Sequence, residues 1–263
     1  MSRADRPIGV FGSGLGGLTV VRALRRILPE EAIIYLGDTA RAPYGSKGQE
    51  TVEGFAHQAG SYLGRQEPKL LVLACHSTSA LALGAFQRGA PCPVMNVIEP
   101  GAQAAADVAG PVGVIGAWAT IHSGAHEAAI RRHNPAAKVY ALACPLLPGL
   151  AEEGWLDDPI TDSVCRRYLN QIPFEVHTVI LGSSHYPRLL PSLERIRPGT
   201  TWLDSSQLTA QAVERLLRGS LGFRTASARG SLRVHLTDTG GAMLEAGARL
   251  LGEPLEGVER VEL

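Results

Sequence analysis

The feature that most constrains the fold is a set of short apolar runs that are hydrophobic at successive positions rather than at alternate ones. The runs LLVLA at 70–74 and VGVIG at 112–116 contain no polar side chain. Strands buried on both faces of a parallel sheet have this pattern. We therefore predict strands at 8–11, 32–36, 70–74, 93–98, 112–116, 138–143, 178–182 and 232–236.

Segments of helical length and pattern separate these runs along the whole chain. Alternation of buried strands with helices is typical of parallel sheets that are covered by helices on both faces. The sequence therefore predicts an α/β fold, and 263 residues are enough for one large domain or two smaller ones. The helices are predicted at 18–28, 49–65, 78–87, 99–108, 121–132, 159–170, 187–196 and 206–218.

A glycine-rich loop, GSGLGG at 12–17, follows the first predicted strand and precedes a predicted helix. The loop satisfies G-x-G-x-x-G, and Asp38 ends the next apolar run, as in a dinucleotide-binding unit. Glycines also allow tight strand-to-helix turns where no ligand is bound. Asp38 moreover opens a long loop rich in Pro, Gly and Tyr. At this point dinucleotide binding and a tight turn both stay open.

Two strand ends about a hundred residues apart have similar sequences, LVLACHSTSA at 71–80 and VILGSSHYP at 179–187. Each passes from a buried strand into small, hydroxyl and histidine residues. Ligands of open α/β sheets bind at the carboxyl ends of the strands. Cys75 is therefore a candidate reactive thiol, and His185 a candidate general acid or base. The alternative is that Cys75 is an inert buried thiol and His185 bonds only within its turn.

The bulk composition excludes several classes of protein. Basic and acidic residues both number 25, so no basic footprint indicates a nucleic acid partner. The four cysteines lie far apart without a C-x-x-C pair, which argues against a metal site or a disulfide framework. No apolar stretch approaches the length of a membrane span, and no signal peptide is recognisable. We expect a cytoplasmic protein that binds neither membranes nor nucleic acid.

Six stretches, in order along nearly the whole chain, resemble the glutamate racemases within the aspartate/glutamate racemase family. They are IGVFGSGLGGLTV (8–20), YLGDTARAPYGSK (35–47), LVLACHSTSA (71–80), VGVIGAWATIHSG (112–124), ACPLLPGLAEEGW (143–155) and ILGSSHYPRL (180–189). Six ordered motifs are far more specific than one glycine pattern. The resemblance therefore replaces the dinucleotide interpretation.

The resemblance implies two similar α/β lobes with the active site in the cleft between them. We expect residues 1–97 and 208–263 to form one lobe and residues 98–207 the other. The implied reaction is inversion of glutamate at Cα without a cofactor or a metal, which supplies D-glutamate for peptidoglycan. The implied partner is a small amino acid or dicarboxylate substrate, and a homodimer is left open.

In the family, two cysteines on opposite faces of the substrate exchange the α-proton, supported by an aspartate and a histidine. Carried over by position, the resemblance places catalysis on Cys75, Ser183, His185, Glu152 and Asp38. It places substrate binding on Ser13, Pro43, Tyr44, Gly45, His76, Ser77, Thr120 and Ser184.

This chain departs from the family pattern at both ends of that proton path. Ser183 stands where the second cysteine is expected, and Gly12 where the aspartate is expected. His76 replaces an asparagine and Ala117 a frequent threonine. A serine hydroxyl is far less acidic than a thiol, so we expect weak racemisation. One alternative has His76 support the Cys75 thiolate in place of the missing carboxylate.

Two other functions stay open at this stage. The chain resembles a superfamily that includes one-cysteine decarboxylases, so it is also consistent with a one-thiol enzyme that acts on another small carboxylate. The second alternative is a catalytically inactive homologue that binds a small acid. Isotope exchange at the α-carbon of both enantiomers distinguishes an enzyme from an inactive protein.

Overall fold

The computed structural model describes residues 2–226 and 228–263. Met1 and Ser227, which belong to the predicted first lobe, lie outside the described residues. Ten strands form in the described part of the chain. They are β1 (Ile8–Gly12), β2 (Ile33–Gly37), β3 (Leu70–Leu73), β4 (Val94–Asn96), β5 (Val112–Gly116), β6 (Val139–Ala143), β7 (Thr178–Gly182), β8 (Thr201–Asp204), β9 (Leu232–Leu236) and β10 (Val258–Arg260).

Helices connect these strands and cover both faces of the sheets. They are α1 (Leu18–Ile27), α2 (Gln49–Gly64), α3 (His76–Leu81), α4 (Leu83–Arg88), α5 (Ile98–Ala106), α6 (Trp118–His122), α7 (Ala125–His133), α8 (Leu147–Glu153), α9 (Pro159–Leu169), α10 (Leu190–Ile196), α11 (Ser205–Leu216) and α12 (Gly241–Leu251). Side-chain caps start two of them where the sequence supplies an aspartate. Asp158 accepts from the amide of Ile160, and Asp204 from that of Ser206.

The strands form two parallel sheets, which confirms the predicted α/β class. The first has six strands in the order β10-β9-β2-β1-β3-β4, and the second has four in the order β6-β5-β7-β8. The central strands β1, β3, β5 and β7 are buried along their whole length. Their continuous apolar runs are what a strand covered on both faces requires. Because all pairs are parallel, the carboxyl ends of these strands share one edge in each sheet.

Helix α11 carries the chain from the second sheet back to the first. Its residues Ala210 and Val213 share a hydrophobic core with Val20 and Leu24 of α1, which covers the first sheet. The lobe boundary that we expect between residues 207 and 208 therefore falls inside this helix. The division into lobes at 1–97 with 208–263 and at 98–207 stays a prediction.

All eight predicted strands form, but two further strands escaped the sequence pattern. β8 and β10 are edge strands with partly exposed, polar sequences, TWLD and VER, so no continuous apolar run announces them. The helix predicted at 121–132 is interrupted at Gly124, whose φ of 68° breaks the α conformation between α6 and α7. Helices α8 and α12 were also missed.

Candidate active site

The loops that follow the carboxyl ends of β1, β3, β5 and β7 contact each other. We call the part of the molecule built on the six-stranded sheet the first half and the part built on the four-stranded sheet the second half. Hydrogen bonds join the two halves at these loops. Thr19 Oγ1, at the start of α1, donates to the carbonyl oxygen of Ser184 at 2.7 Å. Ser77 Oγ and Thr120 Oγ1 lie 3.1 Å apart. Three of the predicted binding residues are therefore brought together at the cleft from distant parts of the chain.

Cys75 lies directly after β3 and is buried, with 7% of its surface exposed. Its thiol donates to Ser13 Oγ at 3.0 Å, and its sulfur accepts from the Thr78 amide at 3.4 Å. Ser13 belongs to the glycine loop after β1. The thiol is thus held in position by one acceptor, Ser13 Oγ, and one donor, the Thr78 amide.

His76 follows Cys75 but does not pair with it. Among the described residues no hydrogen bond joins its ring to the Cys75 sulfur, and the hypothesis of a His76–thiolate pair is therefore wrong for this structure. The ring instead stacks on His126 of α7, with ring centres 5.6 Å apart and planes within 8°. Burial, followed by the charges of His126 and His185, holds the pKa of His76 well below its ordinary value.

Ser183 lies directly after β7 and is as buried as Cys75. Its hydroxyl oxygen accepts from the backbone amide of His185 at 3.4 Å, and the His185 ring is bonded elsewhere. His185 Nε2 lies 2.8 Å from Glu152 Oε1, so the imidazole and this carboxylate form a pair at the cleft. Burial raises the pKa of Glu152, but the hydrogen bond and charge of His185 outweigh it and lower that pKa overall.

The glycine loop after β1 packs closely against Tyr35 of β2 and against the second half of the molecule. A Cβ on Gly16 would lie 2.7 Å from both His185 Nδ1 and Ser184 Oγ, closer than real Cβ atoms approach. A Cβ on Gly12 would overlap the hydroxyl of Tyr35 and lie 3.1 Å from its Cζ. Residue 16 must therefore lack a side chain for the two strand ends to meet, and this packing accounts for a glycine there without a nucleotide.

Asp38 is fully buried and lies within a hydrogen-bonded cluster behind the cleft. Its carboxylate accepts from Arg41 Nε at 2.7 Å, from Thr237 Oγ1 at 2.9 Å and from the hydroxyl of Tyr44. Every donor fixes the loop after β2 or joins it to the loop after β9. This arrangement favours positioning of the loop as the role of Asp38, in place of direct contact with a substrate.

The loop that Asp38 holds carries Pro43, Tyr44 and Gly45 up to the other half of the molecule. A Cβ on Gly45 would lie 2.9 Å from the Cβ of Ala117, at the end of β5. The backbone of this loop therefore packs tightly against the second half beside Ser77.

Sequence reasoning missed three residues of the cleft. Tyr35 donates its hydroxyl to the Gly14 carbonyl at 2.5 Å and so fixes the glycine loop. His126 stacks on His76, and Thr19 joins the two halves. Tyr35 lies in a predicted strand and Thr19 in a predicted helix, so both are expected to pack in the hydrophobic core. His126 sits in a predicted helix at a position that offers no signal, because its partner is fifty residues away.

The described residues contain no group of three or more His, Cys, Asp and Glu side chains arranged to hold a metal ion. Within that same part of the chain, no helix has both the length and the apolar character needed to cross a membrane. All four cysteines are free thiols in the structure.

Comparison with known proteins identifies this arrangement of loops. The family described as Asp/Glu/Hydantoin racemase matches residues 8–213. Glutamate racemase of Geobacter metallireducens is 43% identical over 262 residues, which cover 98% of this chain and 97% of that protein. The chain belongs to the glutamate racemase family. It is an amino-acid racemase, of the isomerase class.

Solved glutamate racemases have the same fold as this chain. The structure from Francisella tularensis, in complex with D-glutamate, superposes with a TM-score of 0.93 at 35% identity and 98% coverage of both chains. The structure from Thermus thermophilus, in complex with β-chloro-D-alanine, gives 0.89 at 42% identity, with 99% of this chain and 98% of that one covered. The resemblance inferred from six motifs is therefore confirmed over the full length. The roles of individual residues rest on the geometry described above.

Proposed function

We propose that this glutamate racemase interconverts L- and D-glutamate by proton exchange at Cα, with Cys75 as the acid/base group on one face. The observation that carries the proposal is the buried Cys75 thiol, held at the cleft by Ser13 and the Thr78 amide. The product, D-glutamate, serves peptidoglycan synthesis. The cytoplasm is the compartment we propose, because a catalytic thiol must stay reduced.

The chemistry requires a base against a very weakly acidic Cα–H bond. A thiolate at Cys75 takes the α-proton, which leaves a planar carbanion and a neutral thiol. A proton delivered to the opposite face inverts the centre, whereas return from Cys75 restores the starting enantiomer. Cys75 and Ser183 are both buried, and a low-dielectric surrounding strengthens each electrostatic contact to the developing charge.

The polar residues around the cleft suit a substrate with two carboxylates and an ammonium group. Ser13, Ser77, Thr120 and Ser184 lie within four residues of the ends of β1, β3, β5 and β7, and the loop of Pro43, Tyr44 and Gly45 packs beside Ser77. Hydroxyls and amides donate to carboxylates, and hydroxyl oxygens accept from the ammonium. We propose these residues, together with His76, as the substrate-binding set.

The face that carries Ser183 is chemically weaker than the face that carries Cys75. A hydroxyl is a poor acid/base group at neutral pH, and the His185 ring is bonded to Glu152 rather than to Ser183. Loss of one positioned acid/base group lowers a rate by about 10²–10⁴-fold. We therefore propose that inversion is slow and that exchange from the Cys75 face is faster than inversion.

The test is exchange of the α-proton of L- and D-glutamate in D₂O, followed by proton NMR, with inversion followed by circular dichroism. The expected result is exchange that exceeds inversion, and loss of the Cys75-dependent part in Cys75→Ala. Absence of both exchange and inversion in the wild type would favour an inactive binder. Exchange of another dicarboxylate, but not of glutamate, would favour a one-thiol enzyme with a different substrate.

A further inference from the structure

Two buried imidazoles, those of His76 and His126, form a pair beside the candidate active site. His76 and His126 are each at least 95% buried, and their rings stack with centres 5.6 Å apart. None of the four ring nitrogens has a hydrogen-bond partner among the described residues. A buried nitrogen without a partner costs about 1–3 kcal/mol, so a cluster of four is a feature that needs an explanation.

The pair joins the two halves of the molecule next to the ends of β3 and β7. His76 starts α3 right after Cys75, and His126 lies in α7 of the second half. A Cβ on Gly182, the residue before Ser183, would lie 3.4 Å from His126 Nε2. The Cys75 sulfur is directed to Ser13 of the first half, whereas the His76 ring is directed to the second. The Cys75 thiol and the His76 ring are therefore held by partners from different halves of the molecule.

Both imidazoles are neutral at neutral pH. Burial lowers the pKa of His126 to about 4, and burial with the charges of His126 and His185 lowers the pKa of His76. A neutral imidazole has one N–H donor and one nitrogen lone pair. His76 thus has a basic nitrogen that no described residue occupies, whereas Ser183 has only a hydroxyl.

We propose that His76 exchanges the α-proton on the face opposite Cys75, and that His126 holds the His76 ring in place by stacking. The inference rests on the proposed racemisation of glutamate and assigns its second acid/base group. It gives the weak face a titratable group at a site where the family's second cysteine is absent.

The proton transfers balance without any further reactant. In one direction the neutral His76 ring takes the α-proton as the Cα–H bond breaks, and becomes an imidazolium. The Cys75 thiol gives its proton to the other face of the carbanion and becomes a thiolate. In the reverse direction the thiolate takes the proton and the imidazolium returns one. Exchange with solvent resets the two groups after each turnover.

The test compares which enantiomer loses exchange when each group is removed. In a two-base racemase each base exchanges the α-proton of one enantiomer only. We expect His76→Asn to lose exchange of one enantiomer by about 10²-fold and to keep exchange of the other. Cys75→Ala should show the reciprocal loss. His57→Asn, an exposed histidine of α2, is the matched control and should behave as the wild type.

The retained enantiomer serves as an internal check that the variant is folded. Retention of exchange for both enantiomers in His76→Asn would overturn the inference, as would equal loss of both in a folded variant. His76→Gln repeats the measurement if His76→Asn does not fold. An inactive wild type contradicts the proposed racemisation itself, which is a separate outcome.

The stacking role of His126 is tested by two substitutions that differ in shape. His126→Phe keeps an aromatic ring against His76, whereas His126→Ala removes it. We expect the His76-dependent exchange to fall further in His126→Ala than in His126→Phe, while the Cys75-dependent exchange changes equally in both. An equal fall of the His76-dependent exchange in the two variants would contradict the stacking role.

Discussion

The two strand ends of the cleft are alike in backbone and unlike in chemistry. After β3, Cys75 has a thiol with a hydroxyl and an amide as partners. After β7, Ser183 has a hydroxyl, and its neighbour His185 is committed to Glu152. Both residues are 7% exposed, so burial does not distinguish them. The end of a parallel strand thus supplies the position at both sites, while the side chain and its partners set the acid/base strength.

The largest effect on activity is expected when Cys75 is replaced by serine, so that both strand ends carry a hydroxyl. Cys75→Ser should lower inversion of glutamate, and α-proton exchange of the one enantiomer that Cys75 serves, by about 10²–10⁴-fold, because the thiol is lost while its position is kept. The measurement is NMR exchange of both enantiomers. Cys92→Ser changes a half-buried thiol outside the cleft and is the control. Unchanged exchange in Cys75→Ser would remove the thiol from the mechanism.

Replacement of Ser183 by cysteine, which gives both strand ends a thiol, should raise activity instead. Ser183→Cys places a more acidic group on the weak face, so inversion should rise by about 10²-fold. Inversion is followed by circular dichroism, and Ser163→Cys, which adds an exposed thiol to α9, is the control. A failure of Ser183→Cys to raise inversion would show that the hydroxyl does not limit this face.

The buried imidazole of His126 should make the stability of the protein sensitive to acid. The folded pKa of His126, about 4, lies below the unfolded value near 6.5, so the unfolded chain binds more protons between these values. Its contribution is complete above pH 6.5, and roughly 3 kcal/mol is lost as the pH falls to 4. Urea unfolding from pH 7 to 4.5 should show a smaller loss in His126→Phe. Equal losses of unfolding free energy in the wild type and in His126→Phe would show that the His126 imidazole titrates as it does in water.

Contact between the two ends depends on the absence of a side chain at Gly16. Gly16→Ala should cost about 1–3 kcal/mol of stability and displace His185, because the added methyl meets the ring and Ser184 Oγ. Gly48→Ala is the matched control, since a Cβ there meets nothing within 4 Å. Thermal melting compares the two, and similar melting temperatures would show that the ends can separate without cost.

The smallest effect concerns the position where the family carries an aspartate. Gly12→Asp brings the new side chain onto the Tyr35 hydroxyl, and the strain should destabilise the fold. Removal of that hydroxyl in Gly12→Asp with Tyr35→Phe should recover about 1 kcal/mol. A double-mutant cycle by urea unfolding measures the coupling. Additive effects would mean that the loop moves instead of the tyrosine.

The sequence predicted the architecture and the strand-end positions well. Continuous apolar runs located β1, β3, β5 and β7 within a residue, and the residues that follow them include Cys75 and His185. It did not predict that Asp38 would be a buried clamp for the loop after β2, because its partner Thr237 lies 199 residues away. The edge strands β8 and β10 lacked a pattern because they are only partly buried.

Local sequence alone therefore determined the parallel α/β class, the strand ends and the inventory of chemical groups. The hydrophobic pattern of a strand or helix extends over only a few residues, so it can be recognised in the sequence. Only the tertiary structure decided which groups are partners: Ser13 for Cys75, Glu152 for His185 and His126 for His76. Those pairings depend on how two sheets face each other, and no short-range pattern encodes that contact.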